Sequence, residues 1–446
     1  MKGPLRALYE GLDRRLEVSP FIAKLSRKPF PRHWSFLLGE VAVVAFVVLV
    51  LTGIALTLFY EPSATTVTYE GDSELHRGRE MPAAYASVVT LSHDVPGGLL
   101  LRRIHRLASH VFIAMILAHM IRVFATGAFR APRELTHLIG VALLLVAALA
   151  GWTGHNLPFD VLAGTSLRIL YALTISVPWV GETLAQWLFA GEFPTGQMLP
   201  RMFAVHALWS PLLITGLLAL HLGLVARQQH TQRPRADIDG ERYVVGEPLW
   251  PWQALSSTVL ALGVIAVITL AAALLPYADL DLHAPYRIGE ATNASQPDWF
   301  AFWVEGLLRL APPVEFAALG AVWSAPFLMG VALPLALVGA TAAWPWIERA
   351  FRGREDASHV NQGLLDVPAR AAAVWGAGSF VAVATVAAAN DVIARVLGVP
   401  IEAVVWVLRV LLVALPVAAA VAAWLVARRR RGPAETATAG GRSPGA

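Results

Sequence analysis

Four histidines stand where they could hold metal inside a membrane. His105 and His119 lie in the apolar run from Gly98 to Phe124, and His206 and His221 in the run from Phe203 to Ala226. On an α-helix the 14-residue gap of the first pair advances about 1400°, some 40° short of four turns, and the 15-residue gap of the second overshoots by about 60°. Each pair therefore shares one side of its helix and is spread over roughly 21 to 22 Å of axis. If the two helices run in the same direction, His105 comes level with His206 and His119 with His221. That arrangement suits two haems stacked across a membrane, each iron with an imidazole on both faces. An iron filled in this way has no vacancy for oxygen, and its natural work is outer-sphere electron transfer. His110 falls about 140° around the helix from His105 and about 180° from His119. It points off the shared face and reads as a packing residue.

Other residues repeat the pattern. Arg102 precedes His105 by three positions and Arg122 follows His119 by three, so both fall on the ligand face. One sits at each membrane edge, where a guanidinium could pair with a haem propionate. Gly39 and Gly53 in one neighbouring run, and Gly140 and Gly154 in another, are each 14 residues apart. Glycine lets a flat macrocycle approach a helix backbone where a side chain would collide.

The rest of the chain must position these groups. Of 446 residues, 56% are hydrophobic and 15% charged, with a mean hydropathy of +0.57, and several runs reach the roughly 18 to 20 residues that cross a hydrocarbon core. The expected fold is an all-α membrane protein of eight transmembrane helices, at about 36–60, 98–124, 137–157, 203–226, 254–275, 314–344, 370–390 and 403–427. Loop charge orients them. Lys2, Arg6, Arg14, Arg15, Lys24, Arg27, Lys28 and Arg32 precede the first span. Arg130 and Arg133, then Arg227, Arg233, Arg235 and Arg242, then Arg349, Arg352 and Arg354, and finally Arg428–Arg431 fall on the same side. The opposite loops are acidic, with Glu61, Glu70, Asp72, Glu74 and Glu80 in one and Asp279, Asp281, Glu290 and Asp298 in another. Both termini are thus expected in the cytoplasm, and the protein in the plasma membrane. The chain divides into a basic N-terminal segment (1–35), a four-helix half with the histidines (36–230), a cytoplasmic linker (231–252), a second four-helix half (253–428) and a low-complexity tail (429–446) expected to be disordered. In the long loop 158–202, apolar patches suit helices lying on the membrane surface.

Composition also excludes. With no cysteine, the chain has no disulfide, thiolate metal site, iron–sulfur ligation or thioether-linked haem of its own. The pI is near 9.6, but a net charge of +4 is too small to suggest a nucleic-acid partner. No small-residue cleavage pattern follows the basic N-terminus, so no cleaved signal peptide is expected.

Together with the histidine spacing, HWSFLLGE (33–40), LTG (51–53), TGAFRAPREL (126–135), GWTGHNLPFD (151–160), HTQRP (230–234), PDW (297–299) and ANDVIA (389–394) resemble cytochrome b of the quinol–cytochrome c reductase (bc1) complexes. The likeness is greatest to the actinobacterial type and runs over about residues 16–428. It implies an outer b-type haem on His105 and His206 and a cytoplasmic-side b-type haem on His119 and His221. It implies a quinone substrate, in that type usually menaquinone. Pro297, Asp298, Trp299 and Phe300 match the motif of the outer quinol site, with Asp298 as proton acceptor and 151–166 as the other wall. A carboxylate on a wet outer edge is chemically suited to relay a proton outward. The partners implied are a Rieske iron–sulfur subunit, a cytochrome c subunit and a terminal oxidase, in a dimeric assembly surrounded by membrane lipid. Two residues depart from the family's pattern. Phe300 lacks the hydroxyl usual there, and Arg227 stands where a histidine is expected, with His230 close by. The lack of cysteine also excludes the extra covalent haem of b6f complexes.

The expected function is therefore a di-haem subunit of a respiratory quinol:cytochrome c oxidoreductase. It would oxidise quinol at the outer face, pass electrons across the membrane and translocate protons, and would act only with its iron–sulfur and cytochrome c partners. Two other readings use the same histidines. One is a quinone-linked di-haem anchor of another oxidoreductase, against which PDWF and the second four-helix half argue. The other is a haem-binding paralogue of low activity with a scaffold role, resting on Phe300 and Arg227.

Overall fold

Hydrocarbon offers the backbone no hydrogen-bond partners, so a long apolar run must satisfy every N–H and C=O within its own segment. Among the described residues, eight runs do so as helices: α1 (Trp34–Thr57), α2 (Gly98–Ala125), α3 (Glu134–Asn156), α4 (Met198–Gln228), α5 (Leu249–Leu274), α6 (Ala325–Arg352), α7 (Pro368–Ala387) and α8 (Ile401–Arg430). The computed structural model describes residues 3, 10–11, 13–234, 243–276, 280–290, 292, 297–353 and 357–430. Lys2, Arg6, Arg235, Arg242, Asp279, Arg354, Arg431 and the tail from 431 onward lie outside the described residues, as does 235–242 of the linker.

The sixth helix starts later than the expected 314. Residues there form an antiparallel hairpin pairing Glu315–Ala318 with Ala321–Ser324. It turns on Leu319 and Gly320, with φ of 56° and 74°, the two-residue loop whose positive φ values match the twist of paired strands. Pro326 then sits in the first turn of the helix, where its missing N–H leaves no bond unmade.

In the first half, Phe46, Phe112, Ala147 and Ile214 meet in one buried cluster, each about midway along α1 to α4. In the second, α7 and α8 pack together with the short helix Phe302–Arg309 around Leu307, Ala384 and Leu408. Val259, Leu262, Val267 and Leu270 of α5 stay exposed, as a lipid-facing side should.

The acidic-side loops are knitted together. The patches expected in 158–202 form helices Val161–Ile175 and Gly181–Phe189. Val161 N–H donates to Ala284 O at 2.9 Å and Tyr286 N–H to Phe159 O at 3.0 Å, so the two long loops close over the first half. On the opposite, basic side, Arg133 is buried and donates to the carbonyls of Gln229 (3.2 Å) and Ser358 (2.9 Å). Arg130 donates to Val360 O at 2.5 Å, and Arg349 pairs with Glu134. These arginines join the two halves as well as marking a membrane side.

Candidate functional site

Both histidine pairs assemble. The His105 and His206 ring centroids are 6.1 Å apart, with planes inclined by 76°, and those of His119 and His221 are 6.5 Å apart and inclined by 73°. Imidazole–metal bonds of about 2.0–2.1 Å on both sides of one ion, plus two ring radii, come to roughly 6 Å, so each gap fits a single bis-imidazole iron. Among the described residues no group of three or more metal-binding side chains forms. A planar four-nitrogen macrocycle would supply the ligands these pairs lack.

The 15-residue spacing on α4 is absorbed by one π-helical turn, Val205–Trp209, in which Ser210 N–H reaches back five residues to Val205 O. A single π turn takes up one extra residue. Pro211 follows directly and has no N–H for the regular ladder. The overshoot read from an unbroken α-helix therefore disappears, and His206 and His221 share a face much as His105 and His119 do.

Each ring is seated on a glycine of the neighbouring helix. A Cβ at Gly53 would lie 3.3 Å from His105 Cε1, one at Gly39 3.4 Å from His119 Cε1, and one at Gly140 3.7 Å from His221 Cε1. One at Gly154 would press into the His206 ring, 2.8 Å from Nδ1. The glycines chosen to clear a macrocycle thus stand directly against the imidazoles themselves. In the first pair, Nδ1 of each ring is also engaged. His105 Nδ1 lies 2.9 Å from Thr52 Oγ1, which itself donates to Val48 O at 2.6 Å, and His206 Nδ1 lies 2.9 Å from Ala150 O. Protons held on Nδ1 leave the Nε2 lone pairs as ligands.

A cavity of about 570 Å³ opens beside this first pair, lined by Gly53, Gly154, Arg102, Arg106 and His155 and reaching His283. Arg102 lies at this cavity. Arg122 lies at the other end, its guanidinium 4.2 Å above the Phe36 ring, and its Nε is buried without a hydrogen-bond partner among the described residues. That buried donor fits an anionic group such as a propionate. His230 stands nearby, 4.2 Å from the Phe30 ring and 6.0 Å from Phe36. Burial, then Arg122, Arg133 and Lys28, push His230 down to about 4, so it is neutral at pH 7. Arg227 is exposed.

The PDWF segment lies against α2 and α3. The Asp298 carboxylate takes a 2.5 Å hydrogen bond from Arg106 and lies 3.5 Å from His155 Nδ1. Trp299 Nε1–H donates to His110 Nδ1 at 2.9 Å, which gives the histidine excluded from the haem face its own partner. Phe300 packs on Gly151, where an added Cβ would meet its Cζ at 3.1 Å. Pro297 leads into this turn. Sequence reasoning missed Arg106 and His155. The signals were present: Arg106 is four residues after Arg102 and so on its face, and His155 sits inside the quoted string GWTGHNLPFD.

The chain is similar to known proteins. Residues 110–281 match the family model described as "Cytochrome b(N-terminal)/b6/petB". The cytochrome bc1 complex cytochrome b subunit of Mycobacterium tuberculosis is 40% identical over 410 residues, 91% of this chain and 74% of the relative. That of Streptomyces coelicolor is 37% identical over 419 residues, 92% of this chain and 75% of the relative. A solved structure titled "Hyperthermophilic respiratory Complex III" has the same fold, with a TM-score of 0.66 over 94% of this chain and 99% of that one, at 18% identity. With such identity over nine-tenths of its length, the chain belongs to the cytochrome b subunits of respiratory bc1 complexes, haem-binding multi-pass proteins of the plasma membrane.

Proposed function

We propose that this protein holds two b-type haems, one on His105 and His206 and one on His119 and His221. It would serve as the membrane electron path of a quinol:cytochrome c reductase, with menaquinol as the expected donor. The observation that carries the reading is the pair of facing imidazole couples at 6.1 and 6.5 Å, each ring backed by glycine. The acidic side is taken as the outside and both termini as cytoplasmic. Quinol would be oxidised near Asp298, one electron going to a Rieske iron–sulfur partner and one inward through the haems, with protons released outside. The haems supply reversible one-electron transfer. The chain's own residues orient the imidazoles through Thr52 and the Ala150 carbonyl, pair Arg102 and Arg122 with the propionates, and exclude water from the middle with the Phe46–Phe112 stack, whose centroids are 5.5 Å apart. A cytochrome c subunit and a terminal oxidase would take the electrons onward, in a dimeric assembly.

Reduced-minus-oxidised spectra of the purified complex test this. Two b-type haems per chain are expected, His105→Leu removing one and His119→Leu the other. A preparation with no b-type bands would refute the reading.

A further inference from the structure

Asp298 does not stand alone, and what surrounds it has a direction. Its side chain is 10% exposed, with Arg106 on one oxygen and His155 Nδ1 3.5 Å from the other. Arg106 Nη2 also lies 3.0 Å from His155 Nδ1, so one guanidinium holds both partners. Arg106 and His155, whose side chain is 9% exposed, form part of the cavity wall, and the carboxylate is packed behind them. The second ring nitrogen, His155 Nε2, is buried and makes no hydrogen bond among the described residues. Four charged or titratable groups act on this imidazole: Asp298, Arg106, Asp160 and His283. His110 faces Asp298 and Arg106 from further along α2. Asp160 and His283 line the same cavity toward the acidic-side loops.

Resting on the reading that quinol is oxidised beside Asp298, we propose that His155 is a proton-relay residue of that site, taking a proton from Asp298 at Nδ1 and releasing one from Nε2 toward Asp160 and His283. Quinol oxidation to quinone yields two electrons and two protons. One electron would leave to the iron–sulfur partner and the other to the haem that His105 and His206 would hold. One proton departs with the electron taken by the iron–sulfur partner, and the other goes to the Asp298 carboxylate. From Asp298 that proton passes to Nδ1, and loss of the Nε2 proton to the cavity restores the neutral ring in its other tautomer. A flip of the ring, which turns its bare nitrogen back toward Asp298 and the protonated one toward the cavity, resets it. Arg106 is a positioning residue here: it keeps the carboxylate and Nδ1 in register. An imidazole suits this task because it accepts at one nitrogen while donating at the other.

The intact complex tests the relay through His155→Gln, Asp298→Asn and the double variant, with haem spectra as the control for folding. General acid–base groups typically contribute ~10²–10⁴-fold, and a relay replaceable by water is expected at the low end. His155→Gln should lower kcat for quinol oxidation roughly tenfold to a hundredfold with KM within about twofold, and should abolish the acidic limb of the pH profile. The double variant should be no slower than Asp298→Asn, since both act on one path. Infrared difference spectra on quinol addition should show a protonated carboxylic acid that accumulates in His155→Gln, not in wild type, and is absent from Asp298→Asn. Unchanged kcat and pH profile in His155→Gln, a loss confined to KM, or multiplied losses in the double variant would overturn the relay. If instead wild type oxidises no quinol, or Asp298→Asn turns over normally, the underlying reading of the site fails.

Discussion

A methyl group at Gly154 would meet the His206 ring at Nδ1, 2.8 Å away, whereas one at Gly140 would touch His221 at an ordinary 3.7 Å. Two chemically identical substitutions should therefore part company. Gly154→Ala is expected to lose the haem of the His105–His206 pair, and Gly140→Ala to keep both, as counted by haem absorbance per chain. Residue types and spacing made these four glycines legible in the sequence, because a 14-residue interval matches the histidines. What the interval did not reveal was contact: spacing along a helix says which groups are level, not which atom faces which. His155 and Arg106 were hidden for the same reason. Their partner, Asp298, lies 143 residues beyond His155 in sequence, and nothing local to either marks the meeting.

At the scale of elements, the period of 3.6 residues located the helices well and failed where the helix itself changes pitch. The π turn at Val205–Trp209 is signalled only by Pro211, and a proline near a helix start has several other meanings. The turn can be tested by shortening α4. Deleting Ala207 together with Pro211→Ala should convert the turn to ordinary α-helix with a 14-residue gap, and both haems should be retained. Deleting Leu217 leaves the π turn in place and rotates everything beyond it by about 100°, so the haem of the His119–His221 pair should be lost. The late start of α6 has a similar origin. Residues 314–324 are apolar enough to pass for helix, and their hairpin is set by the Leu319–Gly320 turn, which hydropathy does not see.

Across the whole molecule, the halves meet on the basic side, where the Arg370 guanidinium of the second half lies 5.2 Å from the Phe129 ring centroid of the first. Arg370 is fully buried and pairs through two nitrogens with Glu348, which also accepts from Trp344 Nε1 at 2.9 Å. Breaking such a pair from one side costs about 3–5 kcal/mol, while replacing both members by apolar residues is often neutral. Arg370→Met is therefore expected to lower the temperature at which the complex loses its haem spectrum, and Arg370→Met with Glu348→Met to recover much of the loss. Loop charge suggested the membrane sidedness, yet part of that signal is structural. Arg130, Arg133 and Arg349 are spent on carbonyls and Glu134, and a sequence does not distinguish an arginine that faces water from one that clamps two loops.

The 14-residue interval also has an electrical meaning. Under the proposed reading, two haems held roughly 21 Å apart along upright helices would be separated by about two-thirds of a ~30 Å insulating layer. An electron moving between them does work against about that share of the membrane voltage, on the order of 1.5 kcal/mol per 100 mV given ~2.3 kcal/mol for a full crossing. Under the proposed orientation an interior-negative voltage pushes the electron back toward the His105–His206 end. Vesicles energised to that polarity should hold more of the shared electron there, and an ionophore that collapses the voltage should release it toward His119 and His221, with no change in any chemical potential. The apolar cluster of Phe46, Phe112, Ala147 and Ile214 at mid-height would be the low-dielectric part of that path, and so would make the step responsive to the membrane's charge.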